Sequence, residues 1–176
     1  FQGGDRMTEL FTYEDSEIKM HYMRDQKPVP SEFRMHTHEA YELYYFAGGS
    51  GVFRVEGTPY PLKPGDILLM RPSEAHYIDI SDDEPYTRLY INFKPGLFDT
   101  IDPEGKLLLP FENRELGTFN RYSAEDFPDG DYRLYIRKII APAADRHLQT
   151  ISNLSPLLYE IYKAYELLQA PETSHS

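Results

Sequence analysis

Hydrophobic and polar positions change rhythm once along this chain, near residue 95. Before that point they fall in short β-rich runs, separated at steady intervals by Pro, Gly, Asp and Ser turns. Such a pattern predicts the strands of a sandwich or barrel. The runs are Leu10–Tyr13, Glu17–Tyr22, Phe33–Thr37, Glu42–Phe46, Val52–Val55, Pro59–Leu62, Asp66–Met70, His76–Ile80 and Thr87–Phe93. Glu56-Gly57-Thr58 predicts a tight hairpin after the fifth run. Pro59 and Pro61 lack the N–H groups a central strand needs, so their run belongs at a sheet edge or a bulge.

Beyond Pro95-Gly96 the apolar spacing lengthens to a helical period. Ser123 offers an N-cap with Glu125 and Asp126 in the first turn, and Pro128-Asp129-Gly130 should end that turn quickly. Tyr132–Ile140 predicts a helix that stops before Pro142. Asp145 is placed to cap another, whose Leu148, Ile151, Leu154, Leu158, Ile161, Tyr165 and Leu168 recur at spacings of three and four. Pro156 predicts a kink, or a restart with Ser155 as N-cap. The long stripe is expected both to cover an open face of the β-domain and to dimerise through Leu154, Leu158, Ile161, Tyr165 and Leu168. Residues 1–6 resemble a tag remnant, with Met7 as the native start. A β-barrel over 7–95 and a helical extension over 96–176 complete the expected organisation.

Composition narrows the class. Of 176 residues, 40% are hydrophobic, enough for a core, and no apolar run approaches the ~18 residues of a membrane span. The N-terminus lacks the basic and apolar regions of a secretory signal. Zero cysteines exclude disulfides and thiolate metal sites, which suits a reducing compartment, and a cytoplasmic location is expected. The net charge of −11 and the lack of a basic cluster argue against nucleic acid bound by this segment itself.

The chemistry concentrates in two stretches. In a strand, His36 and His38 point to one face, so both imidazoles can meet one ion, and Arg34 shares their parity. Glu42 follows a short turn and can return alongside them. In the second stretch, Pro64-Gly65-Asp66 is a turn, Ile67–Met70 a buried strand, and Arg71–Ala75 a turn that delivers His76. Three imidazoles and a carboxylate suit a divalent Zn, Ni, Mn or Fe ion with coordination positions left open. The same four side chains could instead form a polar cluster that hydrogen-bonds internally or to an organic effector. Tyr44 and Phe46 share parity with Glu42 and would flank a sugar-like ligand in the barrel. Arg88, Tyr90 and Asn92 alternate with Leu89, Ile91 and Phe93, and parity leaves open which set faces inward. His21, His147 and His175 stand alone and are expected to be surface or ordinary packing residues. No Gly-rich phosphate loop or Ser nucleophile elbow is present.

These stretches resemble the cupin superfamily. Its first motif spaces two histidines, a glutamate and a glycine as His36, His38, Glu42 and Gly49 are spaced. Its second motif matches at Gly65 and His76, with Arg71 and Ser73 in place of the expected Pro and Gly. The resemblance implies a mainly β fold, a double-stranded β-helix or jelly-roll barrel, followed here by the helical extension. More narrowly, Phe33–Ile80, with Tyr86–Phe93 and Pro110–Arg114, resembles the N-terminal sensor domain of AraC-type transcriptional regulators. That resemblance implies a small-molecule effector in the barrel, a homodimer, and contact with DNA only through a C-terminal domain with two helix-turn-helix motifs that this sequence lacks. It implies no catalysis; a metal-dependent cupin isomerase or oxygenase using the same four ligands is the alternative.

Overall fold

The computed structural model describes residues 7–29, 39–81 and 83–169, with side chains from Leu10 onward. The expected Phe33–Thr37 run, with Arg34, His36 and His38, lies outside them, as does His175.

Eight strands occupy the first part: β1 Met7–Glu14, β2 Ile18–Asp25, β3 Tyr41–Gly48, β4 Gly51–Val55, β5 Thr58–Pro61, β6 Ile67–Met70, β7 His76–Ile80 and β8 Tyr86–Phe93. A ninth, β9 (Arg121–Tyr122), pairs with Ile67 and Leu68 of β6 from within the segment expected to be helical. All pairings are antiparallel. They form a six-stranded sheet in the order β1-β2-β8-β3-β6-β9 and a three-stranded sheet in the order β5-β4-β7. Buried Tyr44, Phe46, Leu68, Met70 and Tyr86 of the first sheet pack with Phe53, Val55, Ile78 and Ile80 of the second, so the two sheets enclose one interior. The mainly β double-stranded architecture with a C-terminal helix is therefore as expected. Strand β5 lies at an edge, where Pro59 and Pro61 cost no central ladder bonds. The hairpin before it turns through Glu56 and Gly57, both at positive φ (48° and 83°), the pattern of a type I′ turn.

The other face of the large sheet carries Ile18, Met20, Tyr41, Leu43, Ile67, Leu69, Leu89, Ile91 and Phe93, all in one core cluster with the helices. These are α1 (Leu109–Glu112), α2 (Tyr132–Ile140) and α3 (Arg146–Gln169). The expected turn after Ser123 is a short 3-10 helix, Ala124–Asp126, in which the Asp126 carboxylate accepts from the Ser123 N–H at 2.8 Å. Asp145 caps α3 by accepting from the Leu148 N–H at 3.0 Å. The helix does not restart at Ser155 but runs through Pro156. The carbonyl that Pro156 leaves unbonded is that of Ser152, an exposed residue, where water can serve it.

The dimerisation expectation needs correction for most of its residues. Leu154, Leu158 and Ile161 are 0% exposed and Tyr165 is 7% exposed within a single chain. They belong to the core beneath α3, so a second copy cannot reach them; of the five, only Leu168 is exposed. Helical periodicity had identified a buried face, and the chain's own sheet is what buries it.

The β1–β2 turn is latched to the first turn of α3. Asp15 Oδ1 accepts from the N–H groups of Glu17 and Ile18 at 2.8 Å. Asp15 Oδ2 accepts from Tyr13 Oη at 2.6 Å and lies 2.6 Å from His147 Nδ1. His147, expected to stand alone, thus has a partner 132 residues away. The Asp15 hydrogen bond raises the His147 pKa above its ordinary value. A raised folded-state pKa means that the pairing stabilises fully below about 6.5, the free imidazole value, and is lost as pH rises through the folded value. An NMR titration of His147 should therefore give a midpoint above about 6.5 that falls back in Asp15→Asn. A midpoint unchanged by that substitution would show that the pair does not form in solution.

Candidate functional site

Strand register decides which side chains share the barrel interior. Glu42, Tyr44 and Phe46 of β3 stand opposite Asn92, Tyr90 and Arg88 of β8. Lys19, His21, Met23 and Asp25 of β2 stand opposite Asn92, Tyr90, Arg88 and Tyr86. Because side chains alternate, Arg88, Tyr90 and Asn92 line the interior while Leu89, Ile91 and Phe93 lie under the helices, which settles the choice parity left open.

At the centre, Glu42 and His76 converge from β3 and β7. Glu42 Oε2 is 3.0 Å from His76 Nε2, and their side chains are 5% and 2% exposed. His76 Nδ1 is 2.8 Å from the Glu74 carbonyl oxygen, and the ring lies parallel to Phe53 with centroids 5.8 Å apart. Burial acts to lower the His76 pKa, but the hydrogen bond and charge of Glu42 and the Glu74 carbonyl outweigh it, so the ring titrates above its ordinary value. A histidine whose Nδ1–H is held by a backbone carbonyl while Nε2 meets a carboxylate has the second-shell arrangement of a metal-ligating imidazole. The pair therefore fits half of the expected ligand set. Among the described residues, no group of three or more His, Cys, Asp or Glu is close enough to hold an ion; the other half, His36 and His38, lies outside them.

The turn that delivers His76 departs from the motif at two positions, and both departures are accommodated. Ser73 adopts φ 66°, the left-handed conformation for which the motif supplies glycine. Arg71 donates to the carbonyl oxygens of Glu112 and Arg114, each at 2.9 Å, and so fixes the turn to α1. The buried Glu74 carboxylate next to it is gripped by Arg114 Nη1 and Nη2 at 2.6 and 2.7 Å.

Deeper in the barrel, Arg88 Nη1 donates to Asp25 Oδ2 at 2.5 Å, and its guanidinium lies 4.4 Å over the Tyr86 ring. The Tyr44 and Tyr86 hydroxyls meet at 2.6 Å. Burial raises the pKa of both, and of Tyr90, which reaches about 12, so these phenols stay protonated as hydrogen-bond groups. His21, expected to be a surface or ordinary packing residue, packs on Tyr90, the rings stacked with centroids 4.7 Å apart. Glu42, Tyr44, Phe46, His76, Arg88 and Tyr90 thus share one interior. Asp25, Tyr86, Phe53 and His21 join them without having been singled out in the sequence; only the β2–β8 and β4–β7 pairings reveal them.

The sequence profile of the AraC-like ligand binding domain family matches residues 23–114, just over half of the chain. An oxalate-binding protein of Thermotoga maritima is 36% identical over 59 residues, which cover 33% of this chain and 49% of that protein. The chain thus spans about half the length of that curated relative. Among solved structures, a cupin protein from Bacteroides fragilis is 24% identical, with a TM-score of 0.40, over 47% of this chain and 70% of that one. A double-stranded β-helix protein from Klebsiella pneumoniae is 16% identical, with a TM-score of 0.43, over 55% and 82%. A DMSP lyase from Ruegeria pomeroyi is 22% identical, with a TM-score of 0.42, over 53% and 49%.

Proposed function

We propose that this chain, which belongs to the AraC-like ligand binding domain family, is the effector-sensing domain of a transcriptional regulator. A small polar metabolite, such as a sugar, binds inside the barrel and controls a separate DNA-binding domain. The observation that carries this reading is the two-sidedness of β8. Arg88, Tyr90 and Asn92 face the interior, and Leu89, Ile91 and Phe93, one residue on in each case, are packed beneath the helices. A ligand that prefers one setting of the inner side chains thereby biases the helical layer through a single rigid strand.

A divalent Zn, Ni, Mn or Fe ion held by His36, His38, Glu42 and His76 would supply a Lewis-acidic contact for an effector oxygen. Protein prepared without a nickel column should then carry stoichiometric metal that His76→Ala removes; metal-free wild type would discard the ion. The homodimer forms through the outer side of α3, where Leu148 and Tyr159 are exposed and Tyr159 and Pro156 border an open groove with Ile101.

Reading the gene beyond codon 176 tests the regulator. About 100 further residues with a basic, two-helix-turn-helix pattern are expected. A stop codon there would overturn the regulator and favour the metal-dependent enzyme.

A further inference from the structure

Phe119 combines two features that a residue with a bulky ring rarely shares: its φ is 49°, in the left-handed region, and it is 71% exposed. The left-handed conformation is costly for any residue with a Cβ, and an exposed ring returns little packing against that cost. Strain of this kind is kept where it places a side chain for use. The loop that carries Phe119 is fixed on both sides of it. Arg114 and the Gly117 N–H hold the buried Glu74 carboxylate, and the Glu74 carbonyl holds His76 Nδ1. Asn113 Nδ2 donates to Tyr165 Oη of α3, and Asn120 Nδ2 donates to the Leu69 carbonyl at 2.8 Å. The loop therefore joins the histidine of the candidate site to the last turns of α3.

Phe119 borders a small pocket with Leu168 and Gln169, the last described residues of α3, and Leu116 of the same loop is exposed, as is Leu168. Arg121 and Gln169 edge this apolar patch, the composition of a protein contact. The polypeptide leaves α3 at the same place. From Gln169 to residue 176 a chain spans at most about 25 Å, so whatever follows begins within that distance of the patch. The net charge of −11 draws a basic domain toward the sensor, and the tether confines it to this end. We propose that Leu116, Phe119 and Leu168 form the docking surface for the basic DNA-binding domain of the same polypeptide. The proposal rests on the sensor reading and names its output surface, which the Glu74–Arg114 grip connects to His76.

Two measurements test it. In the 176-residue chain, Phe119→Gly should keep or raise the melting midpoint, by up to about 4 °C, because glycine takes the left-handed conformation freely. A lowered midpoint would show that the ring serves the sensor's own fold and would overturn the proposal. In the full-length gene product, p-benzoylphenylalanine replacing Phe119 should cross-link on irradiation to the segment beyond residue 176, as mapped by mass spectrometry of the digested adduct. The same probe replacing Leu148, about 30 Å from Leu168 along α3, should not reach that segment. Adducts from position 119 only to a second sensor domain, no adducts, or equal yields from both positions would overturn the docking surface and leave the sensor standing. A stop codon after residue 176 would instead overturn the sensor itself, and sequencing the gene reads that outcome separately.

Discussion

Replacing Arg114 with methionine is expected to destabilise the domain by about 3–5 kcal/mol. Arg114 and Glu74 have side chains 2% and 0% exposed, and two guanidinium nitrogens reach the carboxylate at 2.6 and 2.7 Å. Glu74 also accepts from the Gly117 N–H at 2.8 Å and from Asn120 Nδ2 at 3.2 Å. Burial alone would raise the Glu74 pKa, but Arg114 and these donors hold it below the usual carboxylate value. Without the guanidinium, the charge stays in the interior with neutral partners only, and most of the cost comes from that stranded carboxylate. The double variant Glu74→Met/Arg114→Met should therefore recover much of the loss, and urea unfolding of all four proteins measures the coupling. The pH sign follows from the lowered pKa: the pair stabilises above the unfolded glutamate value of about 4.3 and fails as pH drops through the folded value. A single-variant loss below about 1 kcal/mol, typical of exposed pairs, would mean that water reaches the pair. Because the Glu74 carbonyl holds His76 Nδ1, the same cluster positions the histidine of the site.

How much of this was legible in the sequence depends on how far apart the partners lie. His76–Ile80 and Tyr132–Ile140 coincide with β7 and α2 because local turns and prolines bound them. Glu42, Tyr44 and Phe46 could be placed in the interior by parity, since one strand carries all three. The inward side of β8 could not, because both of its faces are buried and only its neighbours β2 and β3 distinguish them. Asp25 and Arg88 are 63 residues apart, and Glu74 and Arg114 are 40 apart, so neither ion pair leaves a local spacing signal. Strand β9 is two residues long, too short for any periodicity. The stripe on α3 is expected both to cover the sheet and to dimerise, and only the first use is seen for Leu154, Leu158, Ile161 and Tyr165, since amphipathicity records that a face is covered and not what covers it.

Exchanging Leu158 for glutamate is expected to unfold the domain, whereas the same exchange at Tyr159 should leave it folded and separate dimers into monomers. Leu158 is 0% exposed and sits in the core between α3 and the sheet. Losing its packing costs about 2–5 kcal/mol, and a buried, unpaired carboxylate adds several more. Together these approach or exceed the about 5–15 kcal/mol by which whole domains are stable. Tyr159 is 53% exposed, on the side of α3 that faces away from the sheet. Its ring meets Tyr162 at 6.3 Å and the Lys163 ammonium at 5.4 Å, contacts that contribute little to the fold at an exposed position. A carboxylate there would put a charge into the apolar centre of the proposed interface. Circular dichroism melts and sedimentation velocity on the two variants separate the effects. A normally folded Leu158→Glu would show that α3 is not docked on the sheet in solution. A folded Tyr159→Glu that remains dimeric would assign the dimer contact to another surface.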